Sequence, residues 1–124
     1  MFQVTDTKNA PAAIGPYSQA MAWNNLIFTS GQVPLDPQSG QVVGTTIAEQ
    51  AEQVMKNLGA VLEANGASFE NAIKTTCFLA DMADFGAFNE VYAKYFTGKP
   101  SRSCVAVREL PKGVLCEVEV IAVK

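Results

Sequence analysis

The spacing of apolar residues along the chain predicts six strands and two helices. Short runs in which apolar and β-branched residues alternate or follow one another, bounded by Gly, Pro or Asn, are typical of strands. Two of these runs flank Asn24 and Asn25, which tolerate a positive φ and therefore predict a tight hairpin. The runs that fit the strand pattern are 2–5, 17–23, 26–30, 72–80, 101–107 and 114–123.

Apolar residues at helical spacing predict a first helix over residues 46–65. Thr46 and Glu49 match a capping box at its start, and Gly66 marks its end. A second helix is predicted to begin at Asp84, whose side chain we expect to cap the first turn. The apolar side of this helix carries Phe85, Phe88, Val91, Tyr92 and Tyr95.

The order of these elements predicts a mixed sheet with both helices on one face. The second helix connects strands 72–80 and 101–107, and such a crossover joins parallel strands with a right-handed connection. Two helices can cover only one face of a six-stranded sheet. The other face carries too much apolar surface to remain in water, so we expect copies of the chain to associate through it. Residues 1–124 are expected to form a single domain.

The last predicted strand has one apolar side and one side that carries two carboxylates. Glu117 and Glu119 are two residues apart, so they point to the same side of the strand. They are either solvated charges on an edge strand or acid–base groups of a site. The opposite side is wholly apolar, is expected to face the core, and consists of Cys116, Val118, Val120 and Ala122.

Arg102, at the start of strand 101–107, offers a planar fork of donors that suits a carboxylate or a phosphate. If the last two strands form a simple hairpin, Arg102 can make a structural ion pair with Glu117 or Glu119. If the last strand instead inserts beyond strand 72–80, Arg102 and Glu117 are two strand spacings apart, roughly 9–10 Å, with room for a small molecule and a water. The spacing of residues alone does not choose between the two arrangements.

Composition excludes several classes of function. The chain has no histidine, which excludes Ser-His-Asp and Cys-His nucleophiles and histidine-ligated metal sites. The net charge of −3 and the absence of a Lys or Arg run argue against a nucleic-acid partner. No apolar stretch approaches the roughly 20 residues that span a bilayer, and the N-terminus lacks a signal-peptide pattern. The three cysteines all fall in predicted strands, which suits buried thiols in a reducing cytoplasm better than a disulfide framework.

Six short motifs resemble the Rid (YjgF) family of enamine/imine deaminases, and the resemblance covers almost the entire chain. The most specific motif is Pro-Ser-Arg-Ser-Cys, which ends at Cys104 and is followed by Glu-Val-Glu in the last strand. Arg102 and Glu117 match the RidA subgroup, whose members have established deaminase activity. The motifs are Asn9–Tyr17, Thr29–Pro34, Lys74–Phe78, Pro100–Cys104, Leu110–Lys112 and Glu117–Glu119.

The resemblance implies a chorismate-mutase-like α+β fold in which the last strand inserts between earlier strands. It also implies a homotrimer, with a central barrel of sheets, helices outside and three clefts at the subunit interfaces. In this family the residue matching Arg102 binds the substrate carboxylate, the backbone of the residue matching Cys104 contacts substrate or water, and the residue matching Glu117 positions the hydrolytic water. The residues that match the pocket lining are Tyr17, contributed across the interface, Ser30, Gly31 and Asn89.

The substrates that the resemblance implies are 2-aminoacrylate and other short 2-imino acids, which pyridoxal-phosphate-dependent dehydratases produce from serine and threonine. The products are a 2-keto acid and ammonium. An imine is already electrophilic, so we expect no metal and no cofactor. Two other classes stay open: an endoribonuclease or translation inhibitor, and a non-catalytic ligand-binding or chaperone-like trimer. The missing histidine and the acidic charge argue against the first, and Arg102 argues against the second.

Overall fold

In the computed structural model, which describes residues 1–124, the chain forms one six-stranded mixed sheet with two helices. Every predicted strand and helix is present. The second strand begins at Ala20 rather than at residue 17, because the buried Gln19 side chain bonds Thr7 and Pro11 and holds the preceding segment outside the sheet. The elements are β1 (Phe2–Thr5), β2 (Ala20–Trp23), β3 (Leu26–Thr29), α1 (Ile47–Ala64), β4 (Ala72–Leu79), α2 (Phe85–Tyr95), β5 (Ser101–Ala106) and β6 (Cys116–Val123).

The C-terminal strand lies inside the sheet, between two earlier strands. The strand order is β1-β2-β3-β6-β4-β5, and β6 runs antiparallel to both β3 and β4. Strands β4 and β5 are parallel, as the intervening helix predicts. Asn24 has a φ of 55° in the predicted β2–β3 hairpin. Of the two arrangements left open by the sequence, insertion beyond β4 is therefore confirmed.

The hydrophobic core lies between the two helices and one face of the sheet. The apolar side of β6 is buried as predicted, and it packs with fully buried α1 side chains such as Val54 and Leu58. Phe88 of α2 is also fully buried, and burying a side chain of this size contributes roughly 1.5–3 kcal/mol. This packing fixes α2 against β4 and β5, the strand that carries Arg102.

The two helices begin in different ways. In α1, Thr46 and Glu49 form the predicted capping box. The prediction that Asp84 caps α2 is wrong, because its backbone already has helical angles and its side chain bonds no amide of the helix. Asp81 supplies the capping carboxylate instead, and it accepts from the backbone N–H of Ala83 in a 3-10 turn that precedes α2.

The face of the sheet that the helices leave uncovered exposes large apolar side chains. Trp23, Phe28 and Val105 lie on this helix-free face, and each is more than two fifths exposed. Association of copies through this face stays a prediction. Neither helix is both long enough and apolar enough to cross a bilayer.

Candidate active site

Arg102 is held in a fixed position by the helix that packs over its strand. Its Nη1 donates to Asn89 Oδ1 at 2.7 Å. The guanidinium carbon lies 4.7 Å from the ring centroid of Tyr92 and 5.4 Å from that of Phe85. These three α2 residues share one stripe of the helix, since they are four and three positions apart. The contacts orient the guanidinium while leaving most of its N–H donors available to a ligand.

Tyr92 is itself fixed from the sheet side. Its hydroxyl pairs with the buried Thr75 hydroxyl at 2.8 Å, and Thr75 is the direct neighbour of Arg102 across β4 and β5. Burial raises the pKa of Tyr92, so its ring remains a neutral surface for the guanidinium. Strand β4 and helix α2 therefore set the position of Arg102 together.

A cavity of about 520 Å³ opens beside Arg102. Lys99 lies on its wall, and no acidic side chain does. Arg102 makes no ion pair, because the only one in the chain joins Lys94 and Glu52. A positively charged cavity with an unpaired guanidinium is suited to an anion such as a carboxylate.

Glu117 lies in a second cavity, of about 450 Å³, which opens on the helix-free side of the sheet. This cavity contains three of the predicted pocket residues, namely Tyr17, Ser30 and Gly31. The Ser30 hydroxyl donates to the backbone carbonyl of Ser18 at 2.6 Å, which ties the loop after β3 to the segment before β2. The structure therefore brings four of the residues that the resemblance implied for the site into one cavity.

Gly31 allows its backbone to approach the Glu117 carboxylate closely. A Cβ built on Gly31 would lie 2.0 Å from Glu117 Oε2 and 2.7 Å from Cδ. The backbone on this side of the cavity and the carboxylate are thus in contact, and only glycine has room for it.

Two carboxylates share this second cavity. Burial, and secondarily the negative charge of Glu119, raise the pKa of Glu117 above its ordinary value. No hydrogen bond or cation offsets these two effects. Glu117 is therefore a stronger base than an exposed glutamate and is suited to exchanging protons with water.

Arg102 and Glu117 do not meet within one protomer. Residues that pair laterally in a sheet point to the same face. Arg102 pairs with the buried Thr75 on the helix-covered side, whereas Glu117 pairs with Phe78 on the other side. The expected room for a ligand between the two residues of one chain is therefore wrong, although the strand insertion was right. Counting strands gave their separation, but the face on which each side chain lies depends on the register.

Cys104 lies on the Arg102 side of β5, next to Cys77 of β4 in the register. Burial raises the pKa of the Cys104 thiol, and the charge of Arg102 opposes this effect only in part. The thiol is therefore a poor source of thiolate. Because β5 is an edge strand, backbone groups on its outer side have no partner within the sheet.

Several residues in the two cavities or beside Arg102 were not predicted from the sequence as part of a site. The sequence placed Phe85 and Tyr92 on the apolar side of α2. Asn89 lies on the same stripe of the helix, and this combination of one amide and two aromatic rings was the overlooked indication of a binding site for an arginine side chain. Glu119 was noted beside Glu117 but was not assigned to the pocket, and Lys112 was noted only as part of a motif. No group of three His, Cys, Asp or Glu side chains is arranged to hold a metal ion.

Comparison with known proteins gives full-length matches. Residues 7–124 match the family described as endoribonuclease L-PSP. The 2-iminobutanoate/2-iminopropanoate deaminase of Mus musculus is 52% identical over 123 residues, which are 98% of this chain and 91% of the mouse protein. Among solved structures, YyfA of Yersinia pestis, a Rid-family protein of unknown function, superposes with a TM-score of 0.96 at 45% identity, and each chain is fully covered. TdcF of E. coli, solved with bound serine, has a TM-score of 0.93 at 41% identity, with 98% of each chain covered.

Proposed function

We propose that this chain, which belongs to the Rid family described as endoribonuclease L-PSP, hydrolyses short 2-imino acids to 2-keto acids and ammonium. One observation carries the proposal: in a chain about half identical to a named imine deaminase, Arg102 is oriented by Asn89 and two aromatic rings and has no internal carboxylate partner. Such a guanidinium is available for the carboxylate of an imino acid. The relative solved with serine, an amino acid of the same size class, supports a small ligand of this kind.

Binding comes first in the proposed mechanism. Arg102 forms a bidentate pair with the substrate carboxylate, which fixes C2 and the imine nitrogen relative to the protein. Asn89 and Tyr92 keep the guanidinium in place, so little rotamer freedom is lost on binding. Cys104 contributes backbone groups of the edge strand and not its thiol.

Hydrolysis then needs one water and one proton carrier. Water oxygen attacks C2, the π electrons of the C=N bond move to nitrogen, and Glu117 accepts a proton from the water. Glu117 returns that proton to the nitrogen, which becomes the leaving group of the tetrahedral intermediate. Glu117 next takes the proton of the intermediate's hydroxyl and passes it to the amino nitrogen, so that the C–N bond breaks as the C=O bond forms and ammonia leaves, to be protonated to ammonium by solvent. Imino acid and water give keto acid and ammonia, so atoms and charge balance.

The complete site is proposed to form between two copies of the chain. Arg102 and Glu117 lie on opposite faces of one sheet, so one protomer offers the Arg102 half and its neighbour offers the Glu117 half with Tyr17, Ser30 and Gly31. A homotrimer with cyclic symmetry repeats this contact three times and covers the apolar helix-free face. Each trimer then has three equivalent sites.

We further propose that the substrates come from pyridoxal-phosphate-dependent eliminations of hydroxy amino acids. Such reactions release enamines, and a proton shift converts an enamine to the 2-imino acid. Hydrolysis by this chain would remove these reactive compounds. Its three free cysteines suit the reducing cytoplasm, which is the proposed compartment.

The first test measures imine hydrolysis directly. An amino-acid oxidase generates 2-imino acids in place, semicarbazide traps the remaining imine, and the fall in semicarbazone gives the rate. We expect the wild type to accelerate hydrolysis, Arg102→Ala to lose activity by at least about 100-fold, and Arg102→Lys to bind substrate more weakly because it lacks the planar fork. If the folded wild type accelerates no short-chain imine, the hydrolase proposal fails.

Mixed oligomers test whether the site is shared between copies. Arg102→Ala and Glu117→Gln chains are each expected to retain only a small residual activity, and co-expression of the two should restore activity well above that level. When the two kinds of chain mix at random in a cyclic trimer, about a quarter of the sites contain both wild-type residues. A site built within one chain would show no restoration, and a particle mass other than three chains would exclude the trimer.

Endoribonuclease activity is the second candidate, because the family description names it. The net charge of −3 and the absence of histidine do not favour it. Cleavage of RNA that survives further purification and is lost in Glu117→Gln would support this candidate. Cleavage that disappears on purification would exclude it.

A further inference from the structure

We propose that Glu119 is a positioning residue for imine hydrolysis, acting through Glu117 by placing a second negative charge in the same cavity. The inference rests on the proposed hydrolase function. Its central prediction is that the charge of Glu119, rather than its shape, adds to the effect of burial and extends to higher pH the range in which Glu117 carries a proton.

The geometry of β6 brings the two carboxylates together. Glu117 and Glu119 point to the same helix-free face, roughly 7 Å apart along the strand, and both line the cavity of about 450 Å³. Glu119 also borders a smaller cavity, of about 180 Å³, with Lys74 and Thr76. It thus lies at the boundary between the Glu117 cavity and the open sheet face.

No charge from a neighbouring element neutralises Glu117. The titratable groups that face it across the cavity are Tyr17, from the segment before β2, and Lys112, from the turn before β6. The Lys112 ammonium donates to the carbonyl of Gly40 at 3.4 Å and forms no ion pair with Glu117 or Glu119. The lateral neighbour of Glu117 in β4 is Phe78, and the residue beyond it in β5 is Val105, so this side of Glu117 is apolar.

The proposed reaction requires a carboxylate that is a stronger base than an ordinary glutamate. Glu117 must take a proton from water and keep it long enough to return it to the nitrogen. A carboxylate at its ordinary pKa is a weak base at neutral pH, whereas two carboxylates in one partly buried site cannot ionise as readily. Burial and Glu119 act in the same direction on the pKa of Glu117. Glu119 is therefore expected to strengthen the base without touching the substrate.

The pH–rate profile of Glu119→Gln tests the inference, and Glu119→Asp is the matched control. The acidic limb of kcat/KM reports the ionisation of Glu117 in the free enzyme. We expect Glu119→Gln to move this limb to lower pH, because the second charge is gone, and to lower the plateau, because Glu117 becomes a weaker base. Glu119→Asp keeps the charge and should keep the limb near its wild-type position. A loss of activity that is equal at every pH, with no movement of the limb, would show a merely structural role and overturn the inference.

Direct titration separates this inference from the proposed function. Glutamate labelled with ¹³C at the side-chain carboxyl carbon allows the Glu117 signal to be followed by NMR, with Glu117→Gln providing the assignment. We expect the Glu117 midpoint to lie at lower pH in Glu119→Gln than in the wild type, whether or not the protein hydrolyses imines. If imines are hydrolysed but the midpoint is the same in both proteins, Glu119 has no such role. If the midpoint moves but no imine is hydrolysed, the electrostatic coupling stands and the hydrolase proposal fails.

Discussion

Replacing Gly31 with alanine should disable the Glu117 half of the site while leaving the fold intact. The added Cβ would lie 2.0 Å from Glu117 Oε2, whereas Cβ atoms in proteins essentially never approach another heavy atom within 3.0 Å. The carboxylate must therefore move by at least about 1 Å. The obstructing atoms are the end of a flexible side chain, so the side chain and not the backbone takes up the change.

The size of the effect follows from this displacement. A misplacement of about 1 Å in a positioned catalytic group costs on the order of 100-fold in rate, which is about 2.7 kcal/mol in activation free energy. Gly31 has no positive φ that would strain an alanine backbone. Restricting the unfolded chain offsets part of any strain by about 0.4–1 kcal/mol, so the free energy of unfolding should change by less than about 1 kcal/mol.

The measurement is steady-state hydrolysis of a 2-imino acid, with thermal unfolding run in parallel. We expect kcat to fall by about 100-fold while KM changes little, because Arg102, which we propose binds the substrate carboxylate, lies in the other half of the site. Gly86→Ala is the matched control, since a Cβ at Gly86 meets open space and its φ is ordinary. The control should keep wild-type kinetics.

A double-mutant cycle distinguishes displacement of Glu117 from a more general disturbance. In a Glu117→Gln background the Gly31→Ala change should reduce the rate by less than about twofold further, because the affected group has already lost its function. The reasoning is refuted if Gly31→Ala retains more than about a third of wild-type kcat, or if its effect is as large without Glu117 as with it.

Three further predictions concern the surroundings of the site. Asn89→Asp would supply Arg102 with an internal carboxylate that competes with the substrate, so KM should rise by about tenfold or more in the imine assay, whereas Asn89→Ala should have a smaller effect. Asn57, which is 1% exposed, donates to the carbonyls of Val33 and Leu35 at 3.0 Å each, and Asn57→Ala should lower the free energy of unfolding in urea by about 2–3 kcal/mol because buried carbonyls lose their partner. The folded-state pKa of Glu117 is raised above 4.5, mainly by burial, so its ionisation destabilises the folded state; Glu117→Gln should raise Tm at neutral pH, and the difference should vanish as the pH falls below 4.5. An equal Tm difference at all pH values would contradict this explanation.

The fold was largely predictable because local patterns and global packing agree. The capping box at Thr46 and the apolar stripe of α1 are local signals that the tertiary structure preserves. The cap of α2 was misassigned because Asp81 and Asp84 lie three residues apart, and only the intervening 3-10 turn decides which carboxylate meets a free amide. Local sequence predicts that a cap exists better than it predicts the residue that forms it.

The candidate site was harder to predict because it depends on register. Arg102 and Glu117 were identified individually by residue type and motif, but a shift of one residue in either strand would have brought them to the same face. Likewise, the contact between Gly31 and Glu117 joins residues that are remote in sequence, and no local pattern indicates it. The sequence therefore indicated residue types suited to a site, but it did not indicate the faces on which Arg102 and Glu117 lie or the contact between Gly31 and Glu117.

The central position of β6 has a consequence for how the protein is made. The ribosome synthesises this strand after the other five, yet it joins β3 on one side to β4 on the other. Until it emerges, the two parts of the sheet have no strand between them, and their facing edges are open to pairing with other chains. The sheet therefore cannot be completed before β6 has been synthesised, and Glu117 lies on the strand that completes it. A nascent chain truncated before β6 should consequently be a substrate for chaperones or proteases, and never a partly active enzyme.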